Sequence, residues 1–162
     1  MKSKQIATYS LMIALCLILT YVEVLIPFNF AIPGVKLGLS NIVVLYALYN
    51  MDIKSAFCIN LLRILLAGFL FANPITITYS LCGGFLSLFA MILIKKVQCL
   101  SLISISITGA LFHNIGQIIA AYFYLGSDKI IYYLPFLLVS GLITGLLTGI
   151  IGAIVVERTS NI

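Results

Sequence analysis

Pro33-Gly34-Val35-Lys36-Leu37-Gly38-Leu39-Ser40-Asn41 interrupts the apolar N-terminal third of the chain with groups that lipid tolerates badly. Pro33 lacks a donor and breaks a helix, Gly34 and Gly38 loosen the backbone, Lys36 is charged, and Asn41 carries an amide into the next apolar run. Non-helical backbone at membrane depth persists only where protein buries it or water reaches it. Two readings follow. Either the stretch lines or caps a cavity, or it is an ordinary loop ahead of a glycine-softened helix start.

Composition settles the class. Of 162 residues, 63% are hydrophobic and only 8% charged, with a mean hydropathy of +1.25. A soluble domain carries about a quarter charged residues, so this chain has too little polar surface to face water all round. It reads as an all-α integral membrane protein whose first partner is the lipid bilayer. The net charge of +5 is no nucleic-acid signal, because most basic residues stand at the ends of apolar runs. Cys16, Cys58, Cys82 and Cys99 form no Cys-x-x-Cys pair and lie in or beside apolar runs, which argues against a structural zinc or disulfide framework and for small packing residues. The first apolar run lacks a small-residue cleavage site and is read as mature structure.

Outward from the opening stretch, six apolar helices are expected within one domain, residues 1–162. They cover about Gln5–Ile26, Gly38–Tyr49, Ser55–Phe71, Thr76–Ile94, Leu100–Tyr124 and Ile131–Val156. The second is short for a bilayer crossing, at about 1.5 Å of rise per residue. On the first helix, Ser3, Ala7, Ser10 and Ala14 form a stripe of small side chains, a surface on which another helix packs closely. On the sixth, Gly141, Gly145, Gly149 and Gly152 form a glycine seam, expected to seat a neighbouring helix. Six spans place both termini on one side. With that side cytoplasmic, Lys2, Lys4, Lys54, Lys95, Lys96 and Arg158 lie inside, against Lys36 and Lys129 outside. The opening stretch then faces outward.

Arg63 is the most informative residue. A charge near mid-helix costs at least a few kcal/mol in lipid and faces the bundle interior or a wet cavity. No acid occupies the middle of a helix to pair with it; Glu23, near the outer end of the first helix, is the possible ion-pair partner. Arg63 therefore either holds an anionic ligand group or locks helices together through Glu23, Asn60 and backbone carbonyls. His113 and Gln117 lie one turn apart with Asn114 between them, and they read as a polar wall of a binding site or as interhelical glue. Lys36, Asn41, Asn60, Arg63, Tyr79, His113, Asn114 and Gln117 are the candidate substrate-binding residues. Nucleotide loops, nucleophile–base pairs, paired carboxylates and metal-ligand clusters are missing from the sequence, so neither catalytic residues nor a cofactor are expected.

Ala31-Ile32-Pro33-Gly34-Val35-Lys36-Leu37-Gly38-Leu39-Ser40-Asn41, Tyr79-Ser80-Leu81-Cys82-Gly83-Gly84 and His113-Asn114-Ile115-Gly116-Gln117 resemble the Gx transporter family, also labelled heptaprenyl diphosphate synthase component I. That family resembles the S components of energy-coupling factor (ECF) importers. The resemblance implies a six-helix, S-component-like substrate-binding subunit in the cell membrane. It would capture a small, vitamin-like and possibly anionic compound under loop 27–41. It further implies a transmembrane coupling subunit with cytoplasmic ATPases as partner, docked on Ser3, Ala7, Ser10 and Ala14, and no nucleic acid. The synthase label implies the alternative: a non-catalytic accessory membrane subunit that handles an isoprenoid. A structural subunit of a membrane redox assembly is a third reading, for which the sequence offers no haem, flavin or cluster ligands.

Overall fold

The computed structural model describes residues 3–25, 37–97 and 100–160. Most of the opening stretch, with Lys36, lies outside the described residues, as do Lys2 and Cys99. The described residues form six α-helices: α1 Ser3–Leu25, α2 Leu39–Asn50, α3 Ile53–Phe71, α4 Pro74–Lys95, α5 Leu102–Leu125 and α6 Leu134–Ser160. All but α2 are long and apolar enough to cross a membrane, α6 together with the 3-10 segment Asp128–Tyr133 that leads into it. The chain is an all-α, multi-spanning membrane protein. The expected sixth helix began at Ile131. The structure instead places Ile131 in the 3-10 segment and starts α6 three residues later, at Leu134.

Capping chemistry explains the boundaries. Asp52, Asn73 and Ser101 stand before α3, α4 and α5, and each side chain accepts an N–H of the following first turn. Asn73 takes both the backbone N–H and the hydroxyl of Thr76, at 2.8 and 2.9 Å, and Pro74 opens α4 where its missing donor costs nothing. Gly126 ends α5 in the left-handed region at φ 59°.

The shortest helix is the most enclosed. Ser40, Val43, Val44, Leu45, Ala47 and Leu48 of α2 are all buried, and Cys16, Ala56, Ile59, Leu88, Met91 and Ile105 surround them from α1, α3, α4 and α5. With 12 residues, α2 spans about 18 Å, well short of a roughly 30 Å hydrocarbon core. It is therefore a plug inside the bundle. By contrast α1 is mostly exposed and turns Tyr9, Met12, Ile13, Cys16 and Leu19 inward. Its stripe of Ser3, Ala7, Ser10 and Ala14 points away from the bundle.

Backbones come close where glycine allows it. A Cβ on Gly116 of α5 would lie 2.7 Å from the Cys82 carbonyl oxygen and from the Gly83 Cα of α4. Along α6, Gly145 and Gly149 face the Ile107 and Ile103 Cα atoms of α5, Gly141 faces the Asn114 amide, and Gly152 receives Leu45 of α2. One end of the bundle is stitched by Tyr9 to Ser55 at 2.6 Å, Asn50 to Thr159 at 3.2 Å, and the Lys95 ammonium donating to the Leu48 carbonyl at 2.5 Å. Exposed Lys54, Lys96 and Arg158 gather at that end.

Two outcomes test this packing. Gly116→Ala meets backbone rather than a yielding side chain, so it should lower unfolding stability in detergent by about 1–3 kcal/mol; an unchanged unfolding midpoint would mean that α4 and α5 do not cross so closely. The exposed Asp52 carboxyl is held below its ordinary range, chiefly by hydrogen bonds from Ser55. A lowered carboxyl stabilises the fold above its unfolded pKa, and that contribution fades as pH falls through the lowered value. The difference in melting temperature between wild type and Asp52→Ala should thus be constant near neutrality and shrink only below roughly pH 4. A difference that does not change down to pH 3 would contradict the cap.

Candidate functional site

Arg63 sits on the inward face of α3 and is 9% exposed. Its guanidinium donates to three neutral side chains. Nε and one terminal nitrogen reach the Asn60 oxygen at 3.0 and 2.9 Å, and the same terminal nitrogen reaches the Asn41 oxygen at 2.7 Å. The other terminal nitrogen reaches the Ser40 hydroxyl at 2.5 Å. Asn60, fully buried one turn earlier on α3, in turn donates to the Gly84 carbonyl of α4 at 3.1 Å. A single cation thereby ties α3 to the first turn of α2 and, through Asn60, to α4.

Glu23 takes a different partner from the one the sequence suggested. Its carboxylate accepts the Gly38 N–H at 2.8 Å, where Gly38 adopts φ 71° immediately before α2. A carboxylate there complements the positive end of the α2 dipole. Glu23 also lies close enough to act electrostatically on Arg63.

Beside these residues is a cavity of about 400 Å³. Its wall is formed by Thr20, Glu23 and Val24 of α1, the segment Leu37, Gly38, Ser40 and Asn41, the C-terminal half of α3 from Arg63, and Asn73, Thr76 and Ser80 around the start of α4. Ala110, His113, Asn114 and Gln117 of α5 and Thr144 and Thr148 of α6 complete it. It lies toward the end of the bundle where α1 stops and α2 begins, away from the Lys95–Leu48 stitch. Gly83 leaves the room that His113 and Gln117 occupy, since a Cβ there would come within 3.1 Å of both.

Of the candidate residues, Asn41, Arg63, His113, Asn114 and Gln117 line this one chamber, with Glu23. Asn60 stands behind Arg63 as its support rather than in the wall. Tyr79 turns aside and meets Tyr124 edge-on, with ring centroids 6.2 Å apart; its neighbour Ser80 lines the cavity instead. Asn114 also donates to the Leu137 carbonyl at 2.6 Å, so it binds α5 to α6 while edging the chamber. Sequence reasoning missed Ser40, Asn73, Thr144 and Thr148. Ser40 was legible as the neighbour of Asn41, and Thr144 and Thr148 as an i, i+4 hydroxyl pair among the seam glycines.

Fold and site together define a membrane-embedded α-helical protein with a polar chamber built around one buried arginine. A family model for heptaprenyl diphosphate synthase component I matches residues 12–155, and the chain belongs to that family. No curated protein and no solved structure matches it. The match corrects the main functional expectation. A substrate-binding S component of an ECF importer in the Gx transporter family, engaged in vitamin uptake, is replaced by the synthase-component assignment, which agrees with the alternative reading. The coupling subunit and its ATPases lose their support with it. The resemblance misled because a six-helix chain with a polar pocket and no ATP motif suits an importer subunit as well as an isoprenoid-handling one.

The arginine relay makes a testable claim about stability. Asn60→Leu removes the acceptor shared by two guanidinium nitrogens and should cost about 1–3 kcal/mol. Combined with Arg63→Met, the loss should be smaller than the sum, with a coupling of about 0.5–3 kcal/mol. Strict additivity in chemical unfolding would contradict the relay.

Proposed function

We propose that this chain is a non-catalytic accessory membrane subunit that handles an isoprenoid, with the prenyl chain among the helices and the head group in the Arg63 cavity. The observation that carries the reading is the family match across residues 12–155, because it supports a role of the chain in prenyl chemistry. The family's name speaks of a synthase component, and the chain's residues fit a supporting role. Its two aspartates are Asp52, spent on capping α3, and Asp128, at the start of the 3-10 segment. Among the described residues no group of three or more His, Cys, Asp or Glu is placed to hold a metal ion, as an aspartate-rich diphosphate site would require.

In this reading Arg63, Asn41, His113, Asn114 and Gln117 contact the head group and Asn60 positions Arg63. The protein acts as one membrane domain. Both termini face the cytoplasm, a placement supported by the clustering of Lys54, Lys95, Lys96 and Arg158 at one end against Lys129 at the other.

The test is saturable binding of prenyl compounds to the purified protein in lipid nanodiscs, read by native mass spectrometry. A panel of one chain length with alcohol, monophosphate and diphosphate heads covers the chemistry. At least one member should bind at one per protein, and Arg63→Gln should weaken it by about tenfold or more. Phe69→Ala, on the lipid-facing side of α3, should leave binding unchanged. If no member of the panel binds saturably, the isoprenoid reading fails.

A further inference from the structure

Most of the hydrogen-bonding capacity of Arg63 is taken up within the protein. A guanidinium offers about five N–H donors in one fixed plane. Nε and one terminal nitrogen share the Asn60 oxygen at 3.0 and 2.9 Å, which fills the side edge of the fork. That edge is sealed, because Asn60 is 1% exposed and is itself anchored to the Gly84 carbonyl. The same terminal nitrogen gives its second N–H to the Asn41 oxygen at 2.7 Å, and the other terminal nitrogen gives one N–H to the Ser40 hydroxyl. With four hydrogen bonds made, at most one donor is left, whatever else approaches the group. The four bonds differ in access. Those to Asn60 and Ser40 are buried, and the one to Asn41, on the chamber wall, is partly exposed.

We infer that the Asn41 amide oxygen stands where a ligand oxygen binds, and that a phosphate-type head group displaces it to take the end edge of Arg63 with two oxygens. This step rests on the isoprenoid reading above and adds the subsite and what its occupation does to the fold. Two-oxygen capture needs two neighbouring N–H groups. Asn60 closes the side edge, so the remaining edge lies between the two terminal nitrogens, and Asn41 holds one of its prongs. An anionic oxygen is a stronger acceptor for a guanidinium than a neutral amide oxygen, so the exchange favours the ligand. Asn41 belongs to the first turn of α2, where its own N–H donates to the Gly38 carbonyl at 2.9 Å. Ser40 and Asn41 are the side chains of that turn bonded to Arg63, so displacing Asn41 removes one of two ties between α2 and α3. Capture of the head group and full attachment of the α2 start to α3 are then alternatives. Asn41 acts as a latch that opens when the subsite fills.

Hydrogen–deuterium exchange in nanodiscs, with the same prenyl panel, reads the latch. A saturating prenyl monophosphate or diphosphate should raise exchange in residues 39–45 by about threefold or more. The prenyl alcohol, with a single oxygen, should bind more weakly and leave that exchange unchanged. Asn41→Ala should show the raised exchange without ligand, and the diphosphate should add nothing to it. Should Asn41→Ala fail to fold, Asn41→Asp replaces it: its carboxylate closes on Arg63, so the diphosphate should bind about tenfold more weakly or worse and leave exchange unchanged. Exchange in residues 39–45 that is unchanged or lowered by a bound phosphate head, or an alcohol that binds more tightly than both phosphates, overturns the inference while the isoprenoid reading stands. If inorganic diphosphate alone gives the same rise, the subsite stands and the isoprenoid reading of it falls. Failure of every prenyl compound to bind, with no response to inorganic diphosphate, overturns both.

Discussion

A guanidinium inside a lipid-embedded bundle has to be satisfied by the protein, because hydrocarbon offers it no hydrogen-bond acceptor. Much of the architecture around Arg63 answers that requirement. Its donors are taken by amide and hydroxyl oxygens from two helices, and the chief acceptor, Asn60, is itself anchored to the Gly84 carbonyl. Neutral partners satisfy its hydrogen bonds without cancelling its charge. A guanidinium bonded face-on to a carboxylate would be a closed unit. Here the carboxylate is directed to the α2 terminus instead, and the positive charge still lines a chamber.

The short α2 makes that chamber possible. A full-length helix in its place would fill the space between α1, α3, α5 and α6. A 12-residue helix plugs one end of the bundle with apolar side chains and leaves polar walls at the other. Glycine contacts then bring α4, α5 and α6 to backbone separation, which sets where the wall carrying His113, Asn114 and Gln117 lies. In lipid, where apolar side chains gain nothing by leaving water, such close contacts are the main source of association. The fold thus divides its labour: small residues for packing on α4 to α6, polar residues for the chamber at the α1 end.

Helix number and placement were legible because hydropathy in a membrane chain directly reports which residues lipid must cover. Arg63 and the His113–Gln117 turn were legible for the complementary reason, since isolated polar residues in apolar runs have few places to go. Partner choice was not. The sequence offers Glu23 as the obvious acid for Arg63, yet the backbone N–H of Gly38, in a left-handed turn, claims it. Tyr79 illustrates a second limit: it shares a helical face with Ser80 by spacing, and only the rotation of α4 decides which of the two enters the wall. The functional class was ambiguous for a physical reason as well. A buried cation with amide neighbours recognises oxygen-rich head groups in general, and the chemistry of the attached chain leaves little trace in the residues that bind the head.

The chain belongs to the heptaprenyl diphosphate synthase component I family, and the proposal built on that membership is spatial: a prenyl compound would place its head against Arg63 inside the bundle. Photocrosslinking in nanodiscs tests it most directly, using a prenyl alcohol with a diazirine beside the head oxygen and mapping the labelled peptides. The account predicts labelling concentrated on α3 near Arg63 and on α5 between Ala110 and Gln117, competed by unlabelled prenyl alcohol. Labelling spread over the lipid-facing residues of α1 and α6, with no competition, would contradict it.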